Sequence, residues 1–298
     1  MRVSYTSFWP GFDGNLSWFA AAIRESGTEH YSVAPDEAPD VVFQCAMTLS
    51  DFAGKYGPVG AGGPLRVFYT GEATPPDLTR SHCAVSFTRR SAPNLYRLPL
   101  FVMYHDDPEA AFATPLGMRH PHLKLCSALA SNPAPGSPRL EFAGKLHAAG
   151  MLRAGGSAFP ADLGPMAVGR GPGDKRRFLG DCMFHMAFEN TVMEGYVTEK
   201  IADALAAGTV PVYWGDPRVT EDFGRDSMIL LPEAGPWESH VERLARIMSD
   251  RNAYEALRAA PKMPESGFPN YWSKAAFMRW LFLMLDAHFG NSPLPIPD

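Results

Sequence analysis

Residues 188–215 read FENTVMEGYVTEKIADALAAGTVPVYWG. A loop, a helix and a strand follow one another here. Thr198 is a good helix N-cap and acidic Glu199 follows in the first turn. Ile201, Ala204, Leu205 and Gly208 fall at i, i+3, i+4 and i+7, on one helical face. Gly208 stops the helix in the usual C-terminal manner. Val210, Val212, Tyr213 and Trp214 favour a strand, with Pro211 near its start because proline cannot donate to a sheet ladder.

The chemistry sits at the front of this helix. A helix N-terminus offers free backbone N–H groups and the positive end of the dipole to an anion. Lys200 adds a full charge, Glu199 can accept hydrogen bonds from sugar hydroxyls, and Asn190 and Tyr196 lie on the loop leading in. The set suits a nucleotide sugar, with phosphates on the helix end and Lys200, and ribose on Glu199. The same residues also read as a capped surface helix with a solvated Glu–Lys pair, and their chemistry alone leaves both readings open.

The chain of 298 residues suits two domains of ordinary size. With 46% apolar residues it can build substantial cores. The net charge of −5 gives no basic excess for nucleic acid, and no long Lys/Arg run points to an anionic membrane. An anionic ligand is therefore to be held by locally placed cations. The opening MRVSYTSFWPGFDG has no apolar core of signal-peptide length, and Ala275–Phe289 is too short and too charged to span a bilayer, so a cytoplasmic protein is expected. Cys45, Cys83, Cys126 and Cys182 show no zinc-like spacing and read as reduced core cysteines.

Outward from the opening stretch, residues 2–8 and 39–45 read as strands. Between them Leu16–Ile23 reads as a helix opened by Asp13 or Asn15, an order that suggests a parallel α/β sheet. Arg66–Thr70, Cys83–Thr88 and Lys124–Ala130 read as further strands. Glu72 falls just past the third strand, where parallel sheets bind ligands, although an ordinary turn glutamate would look the same. Arg139 follows the Pro/Gly turn after Ala130. A guanidinium there suits bidentate phosphate recognition, and a surface arginine is the plain alternative. Residues 105–122 read as an inter-domain connection. Its His105, His120 and His122 match no common ligand spacing, so no metal site is expected. The glycine-rich stretch Leu152–Gly173 reads as one long loop, and Phe178–Phe184 leads on from it. Trp237–Met248, Asn252–Leu257 and Lys274–Phe289 read as helices. Trp9, in SFWPGFDG, is either a platform for a sugar face or a buried core residue.

FENTVMEGYVTEK resembles the signature of the bacterial-type α-1,3-fucosyltransferases of glycosyltransferase family ten, which commonly read FEN-S/T, GYVTEK, a small-residue helix and a PIYWG-like strand. RVFYTGE around Glu72, NLYRLPL and SNP followed by Arg139 resemble further motifs of that family. The resemblance implies two facing Rossmann-like α/β domains of the GT-B class. Residues 1–120 would bind the acceptor, 121–272 would bind GDP-fucose, and the helix in 273–298 would pack back on the first domain. It implies transfer of L-fucose, with inversion, to the 3- or 4-hydroxyl of N-acetylglucosamine in a galactosyl-N-acetylglucosamine-type glycan. Glu72 would be the general base, and Arg139, Asn190, Tyr196, Glu199 and Lys200 would hold the donor. No cofactor would be required, with Mn2+ or Mg2+ at most stimulatory. The chain departs from the family in AGGSAFPADLG, which lacks the usual asparagine. Another nucleotide-sugar transferase, or a silent binding protein of the same fold, is the alternative.

Overall fold

The computed structural model describes residues 1–46, 57–59, 62–105, 121–132, 134, 137–169 and 173–290. The chain divides into two units, Met1–Met103 with the stretch from Pro269 onward, and Tyr104–Phe268. The connecting segment read at 105–122 lies mostly outside the described residues, as does His120.

The first unit holds β1 (Arg2–Thr6), α1 (Trp18–Glu25), β2 (Tyr31–Ser32), β3 (Val41–Cys45), β4 (Leu65–Tyr69), β5 (Cys83–Ser86), β6 (Leu95–Arg97) and α2 (Leu100–Tyr104). The strands form a parallel sheet in the order β2-β1-β3-β4-β5-β6. Every residue of β3, VVFQC, is buried, as a strand covered on both faces requires. The helix expected to open at Asp13 or Asn15 opens instead at Ser17, whose hydroxyl accepts the Ala20 N–H at 3.1 Å. Asp13 caps a separate 3-10 turn, Gly14–Leu16. A late helix spans Lys274–His288 and lies against α1, with Phe277 edge-on to Trp18 at 5.3 Å.

The second unit holds β7 (Leu123–Leu129), α3 (Arg139–Ala148), β8 (Leu152–Gly155), α4 (Asp174–Gly180), β9 (Cys182–Phe188), α5 (Glu199–Ala206), β10 (Val210–Trp214), β11 (Ile229–Leu230), α6 (Glu238–Ser249) and α7 (Arg251–Ala259). The chain-end helix Lys274–His288 is α8. The sheet is parallel in the order β11-β10-β9-β7-β8. Leu152–Gly173 is therefore not a single loop: its first four residues are an edge strand paired with β7. That strand has no β-branched residue, and main-chain pairing makes it where side-chain propensity does not. Gly156 ends it at φ +87°, with the position of a Cβ only 2.3 Å from the Ala130 carbonyl oxygen, so no other residue fits. Phe178–Phe184 is likewise split between α4 and β9. Pro211 is tolerated because β11 begins to pair with β10 only at Val212. Cys45, Cys83, Cys126 and Cys182 are all buried.

His185 sits inside β9, buried, with its Nδ1 2.8 Å from the Ser127 hydroxyl on β7. Burial, aided by the charge of Lys175 and opposed by Asp203, pushes its pKa down to about 3. The unfolded imidazole titrates near ~6.5, so its contribution to stability is complete above that pH and is lost as pH falls from there toward 3. In that window this one group gives a slope of about 1.4 kcal/mol per pH unit. Urea midpoints at neutral and mildly acid pH should therefore converge in His185→Gln relative to the wild type. An unchanged pH slope would show that His185 is not held neutral.

Candidate functional site

In a parallel sheet, ligands bind beyond the carboxyl ends of strands where the strand order reverses. In the second unit that point lies at β7 and β9, from which the chain runs on to β8 and β10 in opposite directions. Arg139, the first residue of α3, joins the two strand ends. Its guanidinium donates to the Asn132 carbonyl, to the Phe188 carbonyl at 2.9 Å and to Asn190 Oδ1 at 3.3 Å. It is buried, not the surface arginine that the turn also allowed. Burial lowers its pKa, against the pull of Glu189 and Tyr196.

Thr198 occupies the N-cap position of α5, but its side chain caps nothing. The hydroxyl donates instead to Glu189 Oε2 at 2.7 Å, while the Thr198 N–H donates to Glu189 Oε1 at 2.8 Å. Lys200 Nζ donates to Glu189 Oε2 at 3.2 Å and to Thr198 Oγ1 at 2.9 Å. The capping expected of Thr198 is thus withdrawn because a buried carboxylate claims its hydroxyl. The first N–H groups of α5 are left without a side-chain cap. Glu199 lies beside Lys200, with Oε1 3.9 Å from Nζ. The Glu–Lys pair is therefore not the simple solvated one that its sequence equally suggested, since Lys200 is held from within. Tyr196 is buried on the loop into α5.

Glu189 is the residue that the sequence reading passed over. It is wholly buried, and burial raises its pKa against the opposing Lys200 charge and Thr198 hydrogen bonds. Its one signal is an acid placed at the end of the apolar strand CMFHMAF. Gly215 makes room for it: a Cβ there would stand 2.6 Å from Glu189 Cγ.

In the first unit Glu72 lies just past β4, where its N–H donates to Thr70 Oγ1 at 3.0 Å. Trp9, on the loop leaving β1, is 46% exposed, so it is not a core tryptophan. It meets Phe12 edge-on at 4.9 Å. Phe12 stacks on Phe8 at 4.0 Å, and Phe8 stacks on Tyr69, the last residue of β4, at 5.7 Å. One aromatic cluster thus runs from the exposed Trp9 to the strand end that carries Glu72.

The histidines serve separate carboxylates. His105 Nε2 lies 3.2 Å from Asp203 Oδ1, which Lys175 also contacts, and His122 Nδ1 lies 3.9 Å from Asp181. Among the described residues no group of three or more His, Cys, Asp or Glu side chains could hold a metal ion. No helix of the described residues is long and apolar enough to cross a membrane.

Residues 120–257 match the model of glycosyltransferase family 10 (fucosyltransferase), C-terminal region. The matched family 10 stretch contains Arg139, Glu189, Asn190, Tyr196, Glu199 and Lys200. The chain is 26% identical to the α-(1,3)-fucosyltransferase FucT of Helicobacter pylori over 94% of its own length and 64% of that protein's. It is 37% identical to human GDP-fucose protein O-fucosyltransferase 3 over 27% of this chain and 17% of that one. The chain thus spans under two thirds of the curated relatives it matches. A crystal structure of an α1,3-fucosyltransferase superposes with a TM-score of 0.76 at 22% identity, covering 99% of this chain and 93% of that one. The same kind of enzyme with GDP-fucose gives 0.74 at 21% identity, covering 100% and 92%. This likeness shows the fold, the GT-B class of paired Rossmann-like α/β domains that the sequence led us to expect.

Proposed function

We propose that the chain transfers L-fucose from GDP-fucose to an N-acetylglucosamine hydroxyl of a galactosyl-N-acetylglucosamine-type glycan, forming an α-1,3 linkage with inversion. The observation that carries the reading is the start of α5, uncapped by any side chain, with Lys200 on its first turn and Arg139 at the adjoining strand ends. Donated N–H groups and fixed cations there suit a diphosphate. The family 10 match and the Helicobacter relative support fucose and the α-1,3 linkage.

In this scheme Glu72 takes the proton of the acceptor hydroxyl as its oxygen bonds to the fucose anomeric carbon. The bond from that carbon to the β-phosphate oxygen breaks, and GDP leaves with the electron pair. Lys200, Arg139 and the α5 N–H groups stabilise the charge that grows on the departing phosphate. Tyr196, Asn190 and Glu199 complete the donor site, and Trp9 offers a face for the acceptor sugar.

GDP should raise the thermal midpoint well beyond what UDP or CDP does, since a ligand bound only by the native state stabilises it by mass action. Equal shifts with GDP and UDP would remove the guanine assignment and favour another nucleotide sugar. Transfer to a panel of disaccharide acceptors, with product linkage read by NMR, then separates an enzyme from a silent binding protein. Because cationic side chains already serve the leaving group, activity in EDTA should stay at a substantial fraction of the untreated rate. A complete loss restored by Mn2+ would overturn that expectation.

A further inference from the structure

Glu189 stands where an apolar strand would be expected simply to end. Its own N–H donates to the Trp214 carbonyl at 2.8 Å, so its backbone is fixed to β10. Its carboxylate takes three donated hydrogen bonds, two from Thr198 and one from Lys200. An ammonium has three N–H donors. Two of those of Lys200 are committed, to Glu189 and to Thr198, and the third makes no hydrogen bond among the described residues.

We propose that Glu189 is a positioning residue for the transfer: it pins Thr198 and two N–H donors of Lys200, so that the third is presented at the uncapped start of α5 to the donor diphosphate. The proposal rests on the GDP-fucose reading above. A second negative charge beside a diphosphate weakens its binding by simple Coulomb repulsion. A carboxylate in this place is therefore explained by what it does to Lys200: it supplies a counter-charge and two acceptor oxygens, where an amide of equal size has one acceptor oxygen and no charge.

Other groups facing the pair are Glu199, 3.9 Å from Lys200, then Arg139 and Tyr213, with Tyr196 acting on Arg139 and Asp216 behind the Tyr213 hydroxyl. Burial works against the charge on Lys200, and Glu189 with Glu199 outweighs it, so the ammonium is held above its ordinary pKa. Without the Glu189 charge, burial and Arg139 act against Glu199 alone, and Lys200 gives up its proton at lower pH.

The test is the GDP dissociation constant of wild type, Glu189→Gln and Glu189→Asp from about pH 7.5 to 9.5, within the range below the ordinary lysine pKa of about 10.4. The affinity of Glu189→Gln relative to wild type should fall with rising pH, approaching about tenfold per pH unit once Lys200 loses its proton. Glu189→Asp, which keeps the charge, should hold a ratio independent of pH. A Glu189→Gln ratio that stays constant across the range overturns the proposal. A second measurement is made on the wild type and needs no change at Glu189: carbon NMR titration of the Lys200 ε-methylene in nucleotide-free protein, its signal assigned by loss in the charge-conserving variant Lys200→Arg. A midpoint above about 10.4 supports the proposal and one below overturns it. Failure of the wild type to bind GDP would instead sink the functional reading, and the nucleotide-free titration would still decide the role of Glu189.

Discussion

Glu72→Gln should lower kcat by about 10²–10⁴-fold, the usual contribution of a positioned general base. The amide keeps the size and one acceptor oxygen of the acid but cannot take a proton usefully. Glu72 belongs to the first unit, on the turn after β4, and makes none of the contacts that hold Arg139 or Lys200. GDP affinity and thermal stability should therefore stay near wild type. Retention of donor hydrolysis in Glu72→Ala, with transfer lost, would support the base further, since water needs less positioning than a sugar. Transfer at nearly the wild-type rate in Glu72→Gln would show that another group removes the proton, and Asp13 and Glu199 would be the next to test.

Lys200→Ala should be harmful for a reason that sequence alone does not supply. It strands Glu189, which is completely buried, without the cation that faces it. Breaking a buried ion pair by removing one partner typically costs about 3–5 kcal/mol. The low end of that range is expected here, because Lys200 keeps 23% of its side-chain surface exposed. The loss should shrink as pH falls, because a protonated Glu189 no longer needs a counter-charge. Adding Glu189→Gln to Lys200→Ala should restore much of the stability while leaving GDP binding impaired. If the double variant were no more stable than Lys200→Ala, the two side chains would not be energetically coupled. Equal GDP affinity in wild type and double variant would put the phosphates elsewhere.

The periodic parts of the chain were legible. The face of α5 and the β-rich run after Gly208 follow from side-chain spacing and propensity, and so do the apolar strands 41–45 and 65–69. Short edge elements were not. Leu152–Gly155 and Leu95–Arg97 owe their strand form to neighbouring main chain, which no local pattern announces. The site divides in the same way. Cations and a helix start point to an anion from sequence alone, but the role of Thr198 depends on Glu189, nine residues earlier, and their meeting is set by the turn of the loop after β9. The burial of Arg139 was hidden likewise, because its partners Asn132 and Phe188 come from two different strand ends.

The helix Lys274–His288 belongs to the first unit, although the whole second unit separates it from the sheet it joins. As the chain emerges from a ribosome, residues 1–103 appear before residues 104–268 yet stay incomplete. Trp18 and Phe19 have no Phe277 to pack against until the whole second unit has been made. Residues 104–268 are continuous and can be finished earlier. The second unit can thus reach its final form before the first does, and the part of α1 that Phe277 covers stays exposed throughout that delay. A chaperone acting on the nascent chain would find its target there.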